Sequence, residues 1–183
     1  MANFTQSAIT DAFGAMLERM PFDKITVSGI IKECGISRNT FYYHFRDLYD
    51  LLDHWLDQEI SAYRTSTVLS DWEGNIRIFL NNCKSRKKLI YNLANSISRE
   101  RLERYYFSST DGMIARFVEL RARGKNIPPA RVTAISNICQ YACMGYFLRF
   151  LWNGMKEDTE EIISELNILF EAAVEHRIDE YEP

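Results

Sequence analysis

Seven side chains able to hydrogen-bond fall within eight consecutive positions: Ser37, Arg38, Asn39, Thr40, Tyr42, Tyr43 and His44, interrupted only by Phe41. These types suit the edges of a nucleic-acid duplex. A guanidinium bonds guanine through two parallel N–H groups, a carboxamide does the same with adenine, and hydroxyls take a base or a phosphate. Phe41 and Phe45 are four apart, so both lie on one side of a helix and leave the other side to the polar residues. A plain corner in an α-helical bundle is the competing assignment for this stretch.

Other reactive types lead less far. Cys139 and Cys143 stand at i, i+4, a spacing that can serve a metal on a helix. No third or fourth ligand lies near them in sequence, and cysteine packs well as a small hydrophobe, so core packing is expected and no metal. A glycine-rich phosphate loop, a nucleophile elbow and a His-Glu-x-x-His motif are all absent from the sequence. Glu160–Glu161 reads as part of a solvated helix face. The expectation is therefore no catalytic residue, no cofactor and no enzyme.

The elements that must position the polar cluster can be read from periodicity and punctuation. Ile9, Ala12, Phe13, Met16, Leu17 and Met20 form one apolar helical stripe, ended by Pro21. Thr26 can cap a short second helix carrying Val27, Ile30, Ile31 and Cys34, and Gly35 supplies its stop. Ser37 can cap a third short helix, and Asp47 a fourth with Leu51, Leu52, Trp55, Leu56 and Ile60 inward. Downstream, Ser70 with Glu73 suggests a capping box, Ser85 a helix start, Gly124 a stop, Pro128 and Pro129 the opening of a long helix, and Asp158 or Thr159 the cap of the last one. The predicted fold is all-α with about nine helices. The division is a helix-turn-helix domain over 1–62 and a helical domain over 63–183.

Composition narrows the partners. The 183 residues carry a net charge of −3, which disfavours a whole-surface nucleic-acid binder. Residues 1–63 hold five Lys/Arg against nine Asp/Glu, yet residues 24–46 hold four cations and one acid, a local +3. The start lacks a basic segment followed by an apolar run, and the apolar stretch 138–152 is broken by Gln140 and Arg149. No signal peptide and no membrane span are expected, and the four cysteines are read as reduced thiols of a cytoplasmic protein. Trp72, Tyr91, Tyr105, Tyr106, Phe107, Phe117, Tyr141 and Phe147 are the candidates to line a small-molecule pocket. The 138–152 face, with the last helix, is the candidate dimerisation surface.

The segment ITVSGIIKECGISRNTFYYHFRDLYDLL, preceded by an amphipathic helix ending in PFDK, resembles the N-terminal domain of the TetR family of bacterial transcriptional regulators over about residues 5–56. The stretch FLWNGMKEDTEEI also resembles the hinge between the last two helices of one bacterial subgroup. The resemblance implies a homodimer reading a palindromic double-stranded DNA operator, with C-terminal helices that dimerise and commonly enclose an effector. Carried over position by position, Ser37, Arg38, Asn39, Thr40, Tyr43 and His44 would face the bases, and Thr26 and Tyr42 the phosphates. The family usually has a phosphate-contacting Lys in the first turn of the fourth helix, where this chain has Leu48; Arg46 is the candidate substitute. A ligand-responsive repressor is the function implied. The alternative is a relative that acts through protein contacts with little DNA binding.

Overall fold

The computed structural model describes residues 2–66, 71–110, 112–123 and 127–179. Among them are ten α-helices and one 3-10 turn, one helix more than the sequence suggested. The backbone divides into two units, one made of the residues up to Tyr63 with Arg86–Leu102, the other of Arg64–Ser85 with Glu103 onward. Residues 86–102, which the sequence division assigns to the second domain, thus pack with the first.

The first unit contains α1 (Ala2–Arg19), a 3-10 turn (Phe22–Lys24), α2 (Val27–Cys34), α3 (Arg38–His44), most of α4 (Leu48–Ser66) and α6 (Lys87–Ala94). Its caps are those the sequence announced. Thr26 Oγ1 accepts from the Gly29 N–H at 3.1 Å and Ser37 Oγ from the Thr40 N–H at 3.1 Å. Each satisfies a donor that the first helical turn leaves without a partner. Gly35 closes α2 at φ +64°, a left-handed conformation that costs a residue without Cβ little. Asp47 Oδ1 accepts from the N–H groups of Tyr49 and Asp50 at 2.8 and 2.9 Å.

The core of this unit is aromatic and aliphatic. Ile9, Phe13, Leu17, Ile30, Phe41, Leu51 and Leu52 are fully buried. Phe13 meets Phe22 and Trp55 edge-on, each with ring centres 6.1 Å apart. The Trp55 indole lies so near α1 that a Cβ on Gly14 would come within 2.8 Å of Nε1, so only glycine fits there.

Helix α6 repairs a defect that Pro21 creates. The Leu17 carbonyl would ordinarily accept from the N–H four residues on, and proline has none. Asn92 Nδ2 donates to that carbonyl at 2.7 Å. Around it, Arg86 pairs with Glu59 and lies 3.8 Å from Glu18, and Arg101 pairs with Asp53 at 2.8 Å while covering the Tyr49 ring.

The second unit is built from α5 (Trp72–Ser85), the later part of α7 (Arg99–Thr110), α8 (Met113–Ala122), α9 (Pro129–Trp152) and α10 (Thr159–Asp179). Asp71 Oδ1 accepts from the Gly74 N–H at 2.8 Å and so supplies a cap for α5. The Ser70 proposed for that role lies outside the described residues, as does the Gly124 stop. Ser85 does not open α6; its hydroxyl bonds the Asn82 carbonyl and the helix starts without a side-chain cap. Asp158, by contrast, caps α10 through the N–H groups of Glu160 and Glu161. Lys84 Nζ donates to the Glu157 carbonyl and Thr159 Oγ1, and Arg77 meets both oxygens of Glu160. These bonds fix α5 along the start of α10.

The Asn92 bond yields a stability prediction. Asn92→Ala removes the donor from a part-buried carbonyl, which should cost about 1–2 kcal/mol. A urea titration followed by circular dichroism checks it; an unchanged midpoint contradicts the assigned role.

Candidate nucleic-acid interface

Helix α3 divides its residues sharply. Phe41 is fully buried and Phe45 is 3% exposed, with ring centres 6.0 Å apart. Burying Phe41 of this seven-residue helix and Phe45, the extended residue that closes it, contributes roughly 3–6 kcal/mol, far more than so short a helix could supply through propensity. That packing fixes which residues face out. Arg38 and Asn39 are exposed, Tyr43 is 78% exposed and Tyr42 48%. His44 is half-buried, with its ring edge-on to Tyr43 and tilted against Phe45. The Arg38 guanidinium lies 6.0 Å from the Tyr42 ring centre.

Three of the candidate hydroxyl residues also build the helices. Thr26 and Ser37 are the caps described above, and Ser37 and Thr40 share a hydrogen bond of 2.8 Å between hydroxyls. A hydroxyl that accepts in a cap retains its own hydrogen to donate, so the cap and a phosphate contact are compatible for Thr26.

Arg46 is differently placed from what its exposure suggests. Its side chain is 87% exposed, but Nη2 and Nε donate to Asp50 Oδ1 at 2.8 and 3.3 Å. The Arg46 backbone N–H donates to Asp50 Oδ2 at 2.9 Å. These bonds lower the Asp50 carboxyl below its ordinary range and raise the guanidinium above its own. Lys24 lies 3.6 Å from Asp23, and Arg19 pairs with Glu33 at 2.8 Å. Lys32, exposed on α2, and Arg38 have no ion pair among the described residues. Lys32 is one of the four cations among residues 24–46. Its signal was available: a cation on the helix before the polar one, with no acid at i−4 or i+4.

The aromatic pocket candidates do not gather. Trp72, Tyr106, Phe117 and Phe147 are buried in the core of the second unit. Trp72 packs on Phe117 and Phe170, and Tyr106 stacks on Phe147 with centres 5.3 Å apart. Tyr91 belongs to the first unit and Tyr105 is half-buried. Tyr141, 68% exposed, meets Phe107 edge-on; the two border an open cleft of about 410 Å³ with Ser108, Asn137 and Gln140. Cys139 and Cys143 are buried thiols whose pKa burial pushes up to about 11 and about 12, which keeps them protonated and poor ligands. Among the described residues no three His, Cys, Asp or Glu side chains group as a metal site, and no helix is long and apolar enough to cross a membrane.

A short helix with a glycine turn before it, anchored by two phenylalanines and presenting Arg, Asn and Tyr outward, defines a helix-turn-helix DNA-binding protein. Comparison with protein families agrees. Residues 3–54 match the model described as bacterial regulatory proteins, tetR family, and residues 70–172 match one described as a transcriptional regulator C-terminal region. The chain therefore belongs to the TetR family and is a DNA-binding transcriptional regulator. No curated protein matches it in sequence. Among solved structures it is similar to the dihydroxyacetone kinase operon activator DhaS, with 16% identity, 98% of each chain covered and a TM-score of 0.70. At that identity the likeness concerns the fold.

Proposed function

We propose that the protein is a homodimeric, effector-responsive repressor that reads a palindromic operator. The observation carrying this reading is the outward row on α3. Arg38, Asn39 and Tyr43 face solvent while Phe41 and Phe45 hold the helix from behind. In this reading Arg38 and Asn39 reach base edges, Tyr43 and His44 extend the contact, and Thr26, Ser37, Thr40 and Tyr42 bond phosphates or bases. Lys32 adds a phosphate contact.

Dimerisation is assigned to α9 and α10. Ile138, Tyr141 and Trp152 on α9 are exposed, as are Ile168 and Leu169 on α10, and a Cβ at Gly145 would meet nothing within 4 Å. Exposed apolar groups at helical spacing beside an open glycine suit a self-complementary two-fold contact. The effector is assigned to the second unit, where the Phe107–Tyr141 cleft offers an aromatic edge, a hydroxyl and two carboxamides. Its signal would pass along α4, which has residues in both units, with a coupling of about 1–3 kcal/mol. The compartment is the cytoplasm, where the operator lies. Activation is the second reading, favoured by the name of the structural neighbour.

Two experiments test the proposal. In gel shifts with the chain's own promoter, the protein should retard that duplex ahead of random DNA. Arg38→Ala should lose roughly 1–3 kcal/mol of discrimination at one base pair. Retardation that ignores sequence favours the protein-contact alternative. In sedimentation runs the protein should be a dimer, and Tyr141→Glu with Ile168→Glu a monomer; a dimer unaffected by the pair removes α9 and α10 from the interface.

A further inference from the structure

We propose that Asp50 masks Arg46, so that the charge at the start of α4 is withheld from DNA phosphates and Asp50 sets the protein's non-specific DNA affinity. This rests on the DNA-binding reading of the first unit and goes beyond it. The two oxygens of Asp50 have separate tasks. Oδ2 accepts the Arg46 backbone N–H at 2.9 Å, while Oδ1 takes Nη2 and Nε of the same residue. The Asp50 backbone N–H is itself held by Asp47 Oδ1 at 2.9 Å. The carboxylate cannot turn away without breaking the bond that joins the α3–α4 corner, so the guanidinium is the partner that must leave. Asp47 and Asp53 add further negative potential at Arg46.

The consequence is electrostatic. Counterions are released from DNA in proportion to the phosphates that a protein's cations neutralise. An arginine already paired at 2.8 Å brings its acid with it, and the pair as a whole is neutral. Of the five cations up to residue 63, Arg19, Lys24 and Arg46 each have an acid within 4 Å. Lys32 and Arg38 have no ion pair among the described residues. Arg46 is thus a held reserve of charge beside the polar row of α3.

Asp50→Asn separates the mask from the corner, because the carboxamide oxygen still accepts the Arg46 N–H while the negative charge is gone. The measurement is fluorescence anisotropy of the full chain on its promoter duplex and on a random duplex, across a salt series. Asp50→Asn should bind both duplexes about three- to fivefold tighter at low salt, the scale of an exposed ion pair. The plot of log affinity against log salt should steepen by about 0.9 per bound chain. Arg46→Ala should change little in the native background and should abolish the gain in the Asp50→Asn background. Asp50→Ser, which keeps a hydroxyl acceptor, should shift in the same direction. Unchanged or weaker binding by Asp50→Asn overturns the proposal, and so does a gain that survives Arg46→Ala. Failure of every variant, native included, to bind either duplex overturns the DNA-binding reading and the mask together.

Discussion

The burial of Phe41 and Phe45 is the constraint from which the functional surface follows. With only seven residues, α3 cannot hold its own shape. Its rotation about the helix axis is set by two rings driven out of water, and every polar neighbour is aimed by that choice. A one-residue change in the spacing of the two rings would turn Tyr42 or Tyr43 inward and carry Arg38 out of line. The hydroxyl caps at Thr26 and Ser37 then fix where α2 and α3 begin, so that position along the axis and rotation about it are settled by different side chains.

The rest of the first unit keeps that arrangement rigid by closing gaps the chain opens. Pro21 ends α1 cleanly but strands the Leu17 carbonyl, and Asn92, 75 residues later, answers it. Arg86 reaches Glu59 and Glu18 while lying over the Trp55 ring, joining α1, α4 and the start of α6. The α3–α4 corner is a reciprocal capping arrangement in which Asp47 serves the helix and Asp50 serves the residue before it. The electrostatics of the surface are a by-product of this corner. An acid that is good for the fold stands where DNA binding would prefer none.

Local rules were sufficient for much of this. Cap residues, the glycine at φ +64° and the paired prolines act within one turn of themselves, so Thr26, Gly35, Ser37, Asp47, Pro128 and Asp158 could be read directly. The exposed row on α3 was legible for the same reason, since Phe41 within the helix and Phe45 just past its end mark one inner side. What failed depended on distance or on choice between neighbours. Asp71, which caps α5 through the Gly74 N–H, went unnamed because several adjacent cap formers precede that helix and sequence does not rank them. The aromatics of α7, α8 and α9 were recognisable as helical stripes, but periodicity does not say that Tyr106 and Phe147 stack inside while Tyr141 stays outside. The Asn92 bond joins residues too far apart for any pattern. The Arg46–Asp50 pair stands at i, i+4, a spacing that suits a local ion pair as well as an arginine free to meet a phosphate, and spacing alone does not choose between them.

The central claim is that α3 enters the major groove, once from each subunit of a dimer. Hydroxyl-radical footprinting on the promoter duplex tests it most directly. The account predicts two protected patches on one face of the helix, centred about one helical turn or a whole multiple of it apart, with the protection weakened on both sides in Arg38→Ala at a protein concentration that just protects with the native chain. A single patch, protection spread evenly along the duplex, or an unaltered footprint in Arg38→Ala would contradict it.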